Sequence, residues 1–151
     1  MNITESAKTI LMGIRPCNKM RKVITELAIK DGINLTSNEG HMRIDNEPYQ
    51  RLCIEKIDSK LVSVAHYFEM NGYLVPDPDM VFLMLDKRWY PIGFQNQIAY
   101  EDSVRYNNDG QVVKILDSMK LLVPFTSSWD DNIIAQGYLD AVKPEENEDA
   151  E

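Results

Sequence analysis

Three side chains in one short stretch have the types that acid–base chemistry needs: His66, Glu69 and Asp77. An imidazole titrates near neutral pH, and a carboxylate can hold it in one tautomer. With Glu69 or Asp77 as its orienting partner, His66 would be the general base of a hydrolase or nucleotide-processing enzyme. A second use of the same region is contact with another molecule. Tyr67, Glu69, Asn71, Tyr73, Asp77 and Asp79 gather around one turn, and Trp89 sits beside the next. Aromatic and acidic groups on a loop end suit recognition. Glu69, Asn71, Asp77 and Asp79 also carry the oxygens that Mg²⁺ or Ca²⁺ would take, which would make the enzyme metal-dependent. The twelve-residue calcium loop, with its central Gly and terminal Glu, is missing. Asp77 and Asp79 flank Pro78, where carboxylates commonly shape a turn through bonds to nearby amides. No metal site and no other cofactor is expected.

Other chemistries lack their residue sets. Cys17 and Cys53 are the two cysteines, too few for a closed zinc site or a disulfide framework. There is no phosphate-cradling glycine loop, no dinucleotide fingerprint and no Gly-x-Ser-x-Gly elbow. Asp86 and Lys87 are adjacent, so on a strand they would point to opposite faces and not form a nuclease pair with Asp79.

The elements that must position these groups follow from period. Ala7, Ile10, Leu11 and Ile14 form a helical stripe begun by Thr4 and ended by Gly13 and Pro16. Asn18 is placed to cap a second helix, whose face is Met20, Val23, Ile24, Leu27 and Ala28 and whose stop is Gly32. Residues 34–50 are polar and turn-rich and read as a loop. From Arg51 the period becomes two. Leu52 and Ile54 share one face, and Val62, Val64, His66 and Phe68 share another. His66 therefore also reads as a core histidine bonded to backbone or to an acid. Asn71-Gly72 predicts a hairpin. Residues 76–79 read as a stiff connector, Met80–Leu85 as the most buried strand, and 89–95 and 98–106 as two more strands. Val112 to Ile134 reads as one long C-terminal helix, kinked or broken at Pro124 and stopped by Gly137. The fold class is α+β: two N-terminal helices, an antiparallel meander of about five strands, and that helix, with the helices on one face.

The 151 residues suffice for one domain, over 1–143. The tail 144–151 holds five acids and no base and should be disordered. The net charge is −8. Residues 1–60 hold ten Lys/Arg against eight Asp/Glu, and residues 61–143 hold six against eleven. The folded part is thus only mildly acidic. It lacks the clustered cations that nucleic acid demands, so no direct nucleic-acid binding is expected. The longest apolar run, Met80–Leu85, is far too short for a membrane span, and the first residues have no leader pattern. A soluble, cytoplasmic protein is expected.

The segments Ser63–Gly72 and Asp77–Phe82 resemble a family of small uncharacterised proteins. That family is known as a domain of unknown function in phages, plasmids and conjugative elements of low-GC Gram-positive bacteria. The similarity continues through Trp89-Tyr90-Pro91, Phe94-Gln95-Asn96, Trp129, Asn132 and Gln136-Gly137-Tyr138, covering roughly residues 50–140. Where the family's hairpin implies an acid after Asn-Gly, this chain has Tyr73. The resemblance implies a mobile-element setting and no reaction. In that setting the leading expectation is a non-enzymatic interaction protein with a host protein as partner, such as an inhibitor of a CRISPR effector or another antiviral defence. The rivals are the enzyme built on His66, Glu69 and Asp77, a small-ligand-binding module, and a structural or regulatory component of plasmid maintenance.

Overall fold

In a computed structural model, residues 2–142 are described; the acidic tail from 144 lies outside the described residues. The Thr4 hydroxyl accepts from the Ala7 amide at 3.3 Å and starts α1, Glu5–Met12. The second helix, α2, spans Asn18–Asp31 and buries the five apolar residues of its predicted face. Gly32 ends it at φ 80°, where a side chain would be strained. Asn18 is not its cap. Cys17 holds that position without a side-chain bond, and Asn18 is the first helical residue.

The strands β1 (His41–Asn46), β2 (Tyr49–Asp58), β3 (Leu61–Met70), β4 (Tyr73–Leu85), β5 (Arg88–Gln95) and β6 (Tyr100–Asp102) form one antiparallel sheet in sequence order. The meander is as expected, but it has six strands. The extra one is β1, inside the stretch read as a loop. Met42 and Ile44 are buried between charged neighbours and pair with Ile54 and Leu52. Two apolar residues are a weak signal, and the pairing partner supplies the rest. The predicted connector 76–79 lies within β4 as a bulge. Tyr67 pairs Pro76 and Ala65 pairs Asp79, which leaves Asp77 and Pro78 opposite His66 alone.

The strand expected over 98–106 divides at Ser103, which is fully buried. Its amide donates to Ile92 O at 2.8 Å and its carbonyl accepts from Leu116 N at 2.8 Å. The chain there leaves the main sheet for a small one made of β7 (Val104–Tyr106) and β8 (Val112–Ile115). Val112 to Ile115 is therefore strand, not the start of the long helix. The Val112 amide also donates to Asn2 O at 2.9 Å, so the N-terminal lead-in joins this strand. The helix α3 begins at Met119 and runs unbroken to Ala135 through Pro124. Gly137, at φ 82°, turns the chain into the short α4, Tyr138–Ala141.

The helices do not share one face. Val62, Val64, Phe82 and Trp89 pack with α2, α3 and α4. Their strand neighbours Leu61, Leu83 and Tyr90, on the opposite face by alternation, pack with α1, Val104 and Val112. Among the described residues no helix is long and apolar enough to cross a membrane.

Candidate functional site

His66 is the β3 residue paired with Leu52 of β2, and its ring points at the C-terminal helices. It is 6% exposed. The ring lies 5.7 Å from that of Trp129, edge-on, and 5.5 Å from that of Tyr138. Its Nδ1 is 3.3 Å from Arg51 O. A carbonyl can only accept, so Nδ1 carries the proton and the neutral tautomer is fixed. Burial pushes the imidazole pKa below its ordinary value. The carbonyls of Arg51 and Gln50 and the charge of Asp77 pull the other way.

His66 lines a cleft of about 340 Å³. Tyr49, Gln50, Asp77, Asn132, Gln136 and Tyr138 complete its polar lining. The Tyr138 hydroxyl donates to Gln50 O, and Asn46 Nδ2 donates to Gln136 O at 2.6 Å, so α4 and the turn after α3 are tied to the first two strands. His66, Asp77, Pro78, Trp129, Asn132, Gln136 and Tyr138 all belong to the segments that carry the family resemblance; Pro48, Tyr49 and Gln50 do not.

The three acids of the sequence reading go to different places. Asp77 shares the cleft with His66. The bulge then turns Asp79 to the outer face, where it accepts from Ser63 Oγ at 2.7 Å and Tyr67 OH at 3.2 Å. Burial, and then Asp79, push the Tyr67 hydroxyl up to about 12. Glu69 lies on the outer face with Tyr67, lining a separate groove with His41, Arg43 and Arg51. The His66–Glu69–Asp77 set is therefore not assembled. Among the described residues, no three His, Cys, Asp or Glu side chains are grouped to hold a metal ion.

Beyond this cleft the β3–β4 hairpin is no longer paired with its neighbours. His66 is the last β3 residue paired with β2, and Asp79 is the last β4 residue paired with β5. The segments 67–70 and 73–76 therefore pair only with each other, as a two-stranded arm. Asn71 and Gly72 make its tip with φ of 52° and 82°, the positive values a tight hairpin turn needs. Around the tip Tyr73 is 75% exposed, Leu74 69% and Met70 46%. Met70 and Leu74 were not singled out from sequence; their signal is an apolar pair flanking a turn that no third strand covers. Trp89 is no surface contact. It is 2% exposed, with its ring 6.0 Å from that of Phe82.

Residues 22–139 match the pattern of the Domain of unknown function (DUF6908), and the chain belongs to that family. The match reaches well upstream of the segments that suggested a family resemblance. No curated protein and no solved structure matches the chain.

Proposed function

We propose that this member of a family without an assigned activity is a non-enzymatic binding protein that grips a protein partner with its β3–β4 arm. The observation that carries this is the arm itself, a hairpin end paired to neither neighbouring strand, with Met70, Tyr73 and Leu74 in solvent. Large apolar side chains clustered on an exposed turn lose free energy only when something covers them. Fully burying three such side chains is worth on the order of 5–9 kcal/mol. Ordering and lost translation oppose association by a similar amount, so the arm would be the centre of an interface and not all of it. Glu69 and Asp77 are exposed beside the arm. The partner surface would then be an apolar pocket with cations at its rim. The mobile-element setting implied by the resemblance makes a host defence protein, such as a CRISPR effector, the first partner to try.

The test is the double substitution Tyr73→Ser with Leu74→Ser. Both side chains point into water, so the melting temperature should stay within about 2 °C of the parent. Affinity for the partner should fall at least tenfold. Unchanged affinity would remove the arm from the interface.

A metal-dependent reading keeps one specific observation, the shared cleft of His66 and Asp77. It requires that Mg²⁺, Mn²⁺ or Zn²⁺ raise the melting temperature and that Asp77→Asn abolish the rise. We expect no shift with any of these ions.

A further inference from the structure

The main sheet ends in β1 on one side and β6 on the other. β6 has three residues and β1 has six, so β1 offers the longer edge. The Lys56 amide donates to Gly40 O at 2.8 Å. The residues in step with Gly40, Met42 and Ile44, therefore turn their N–H and C=O groups toward β2. Arg43 and Asp45 turn theirs outward, and those backbone groups have no backbone partner among the described residues. α4 lies on the inner face, where Tyr138 and Val142 share one core with Met42 and Ile44. Among the described residues no backbone bond joins α4 to β1. A strand edge with unpaired N–H and C=O groups is a template for another strand.

The side chains on this edge decide which strand fits. Arg43 and Asp45 are both exposed. Arg43 is in no ion pair among the described residues. Asp45 accepts from Arg51 Nε at 2.6 Å, yet its side chain stays 68% exposed, so its oxygens can take a second cation. In an antiparallel pair of identical strands, the residue on the twofold axis fixes which charges meet. An axis at Arg43 would oppose two arginines, and an axis at Asp45 two aspartates. An axis at Ile44 opposes Arg43 of each copy to Asp45 of the other. The same register aligns the outward N–H and C=O groups of these two residues, so each Arg43–Asp45 pair can exchange both backbone bonds.

We infer that two copies of this chain associate through β1, antiparallel and centred on Ile44, joining their six-stranded sheets edge to edge. A second copy is the occupant that the charge order selects, because the same edge reversed presents its own complement. β2 separates β1 from the arm's strand β3, so the inference does not depend on the arm. The contact is small beside the roughly 1,200–2,000 Å² of stable interfaces, so a dissociation constant on the order of 10 µM is expected.

The test is sedimentation velocity of the full chain from about 1 µM to about 1 mM, over which the parent should pass from monomer to dimer. Arg43→Glu opposes a glutamate to each Asp45, and Asp45→Lys opposes a lysine to each Arg43. Both positions are exposed, so each variant should melt within about 4 °C of the parent at concentrations where all are monomers. Each should lose about tenfold or more in self-association. Mixed in equal amounts, the two variants restore opposite charges at both pairs. The mixture should then dimerise within a few-fold of the parent's constant, while neither component does so alone. A parent that stays monomeric throughout would overturn the inference. So would a variant that dimerises like the parent, or a mixture of folded variants that stays monomeric.

Discussion

Two buried titratable groups bias the fold in opposite directions with pH, and the signs separate them. His66 has its folded pKa lowered, chiefly by burial. The fold favours its neutral form, so its contribution is complete above the unfolded value near 6.5 and is lost as pH falls toward the folded value. His66→Phe should therefore lose less stability than the parent between pH 8 and 5. His66→Ala should destabilise by about 1–3 kcal/mol at pH 8, through lost contact with Trp129 and Tyr138, and by less as pH falls. Asp130 has its folded pKa raised from 3.8 to about 6, again chiefly by burial. Its favourable state is the protonated one, present below about pH 4 and lost as pH rises through 6. Asp130→Asn should thus be more stable than the parent at pH 7.5 and lose that advantage by pH 4. Urea melts of the parent, His66→Phe and Asp130→Asn at pH 4, 5.5 and 7.5 check both signs.

At the scale of elements, Lys56 is the residue that sits worst with its strand. It is buried, its Nζ reaches Ser59 O at 3.4 Å and Met84 Sδ at 3.1 Å, and burial pushes its pKa down against the pull of Asp58. Replacing it with a side chain of similar length and no charge, Lys56→Met, should raise the melting temperature by about 2–4 °C, for roughly 1 kcal/mol of relieved desolvation. A fall would mean that the ammonium is satisfied in place.

What could be read of these elements in advance was what neighbouring residues decide. Thr4 as a cap, Gly32 and Gly137 as stops, and the Asn71-Gly72 turn are local chemistry, and each is in place. The opposite facing of His66 and Glu69 was also legible, since three positions apart on a strand means opposite sides. The failures needed distant partners. Val112, Ile115 and Met119 have helical spacing, but pairing with β7 and with Asn2 makes Val112–Ile115 a strand. Asp77 and Asp79 should share a side by alternation, and the bulge opposite His66 separates them. Asp130 could not be found at all, because what distinguishes it is a carboxyl brought from α3 to the start of α2.

Over the whole molecule, the sheet is covered on both faces where β3, β4 and β5 lie side by side, and residues 69–74 at the end of the arm are exposed. The stable body and the exposed end therefore fall on different residues, and changes at the tip should act on binding with little effect on folding. The most direct measurement of this division is site-specific photo-crosslinking in cells that make the protein naturally. A photoreactive phenylalanine would be placed at Met70, Tyr73 or Leu74, and at Asp109 and Glu26 as exposed positions away from the arm. The account predicts one adduct of the same mass from all three arm positions and none from Asp109 or Glu26. Adducts of equal yield at the control positions, or none from the arm, would contradict it.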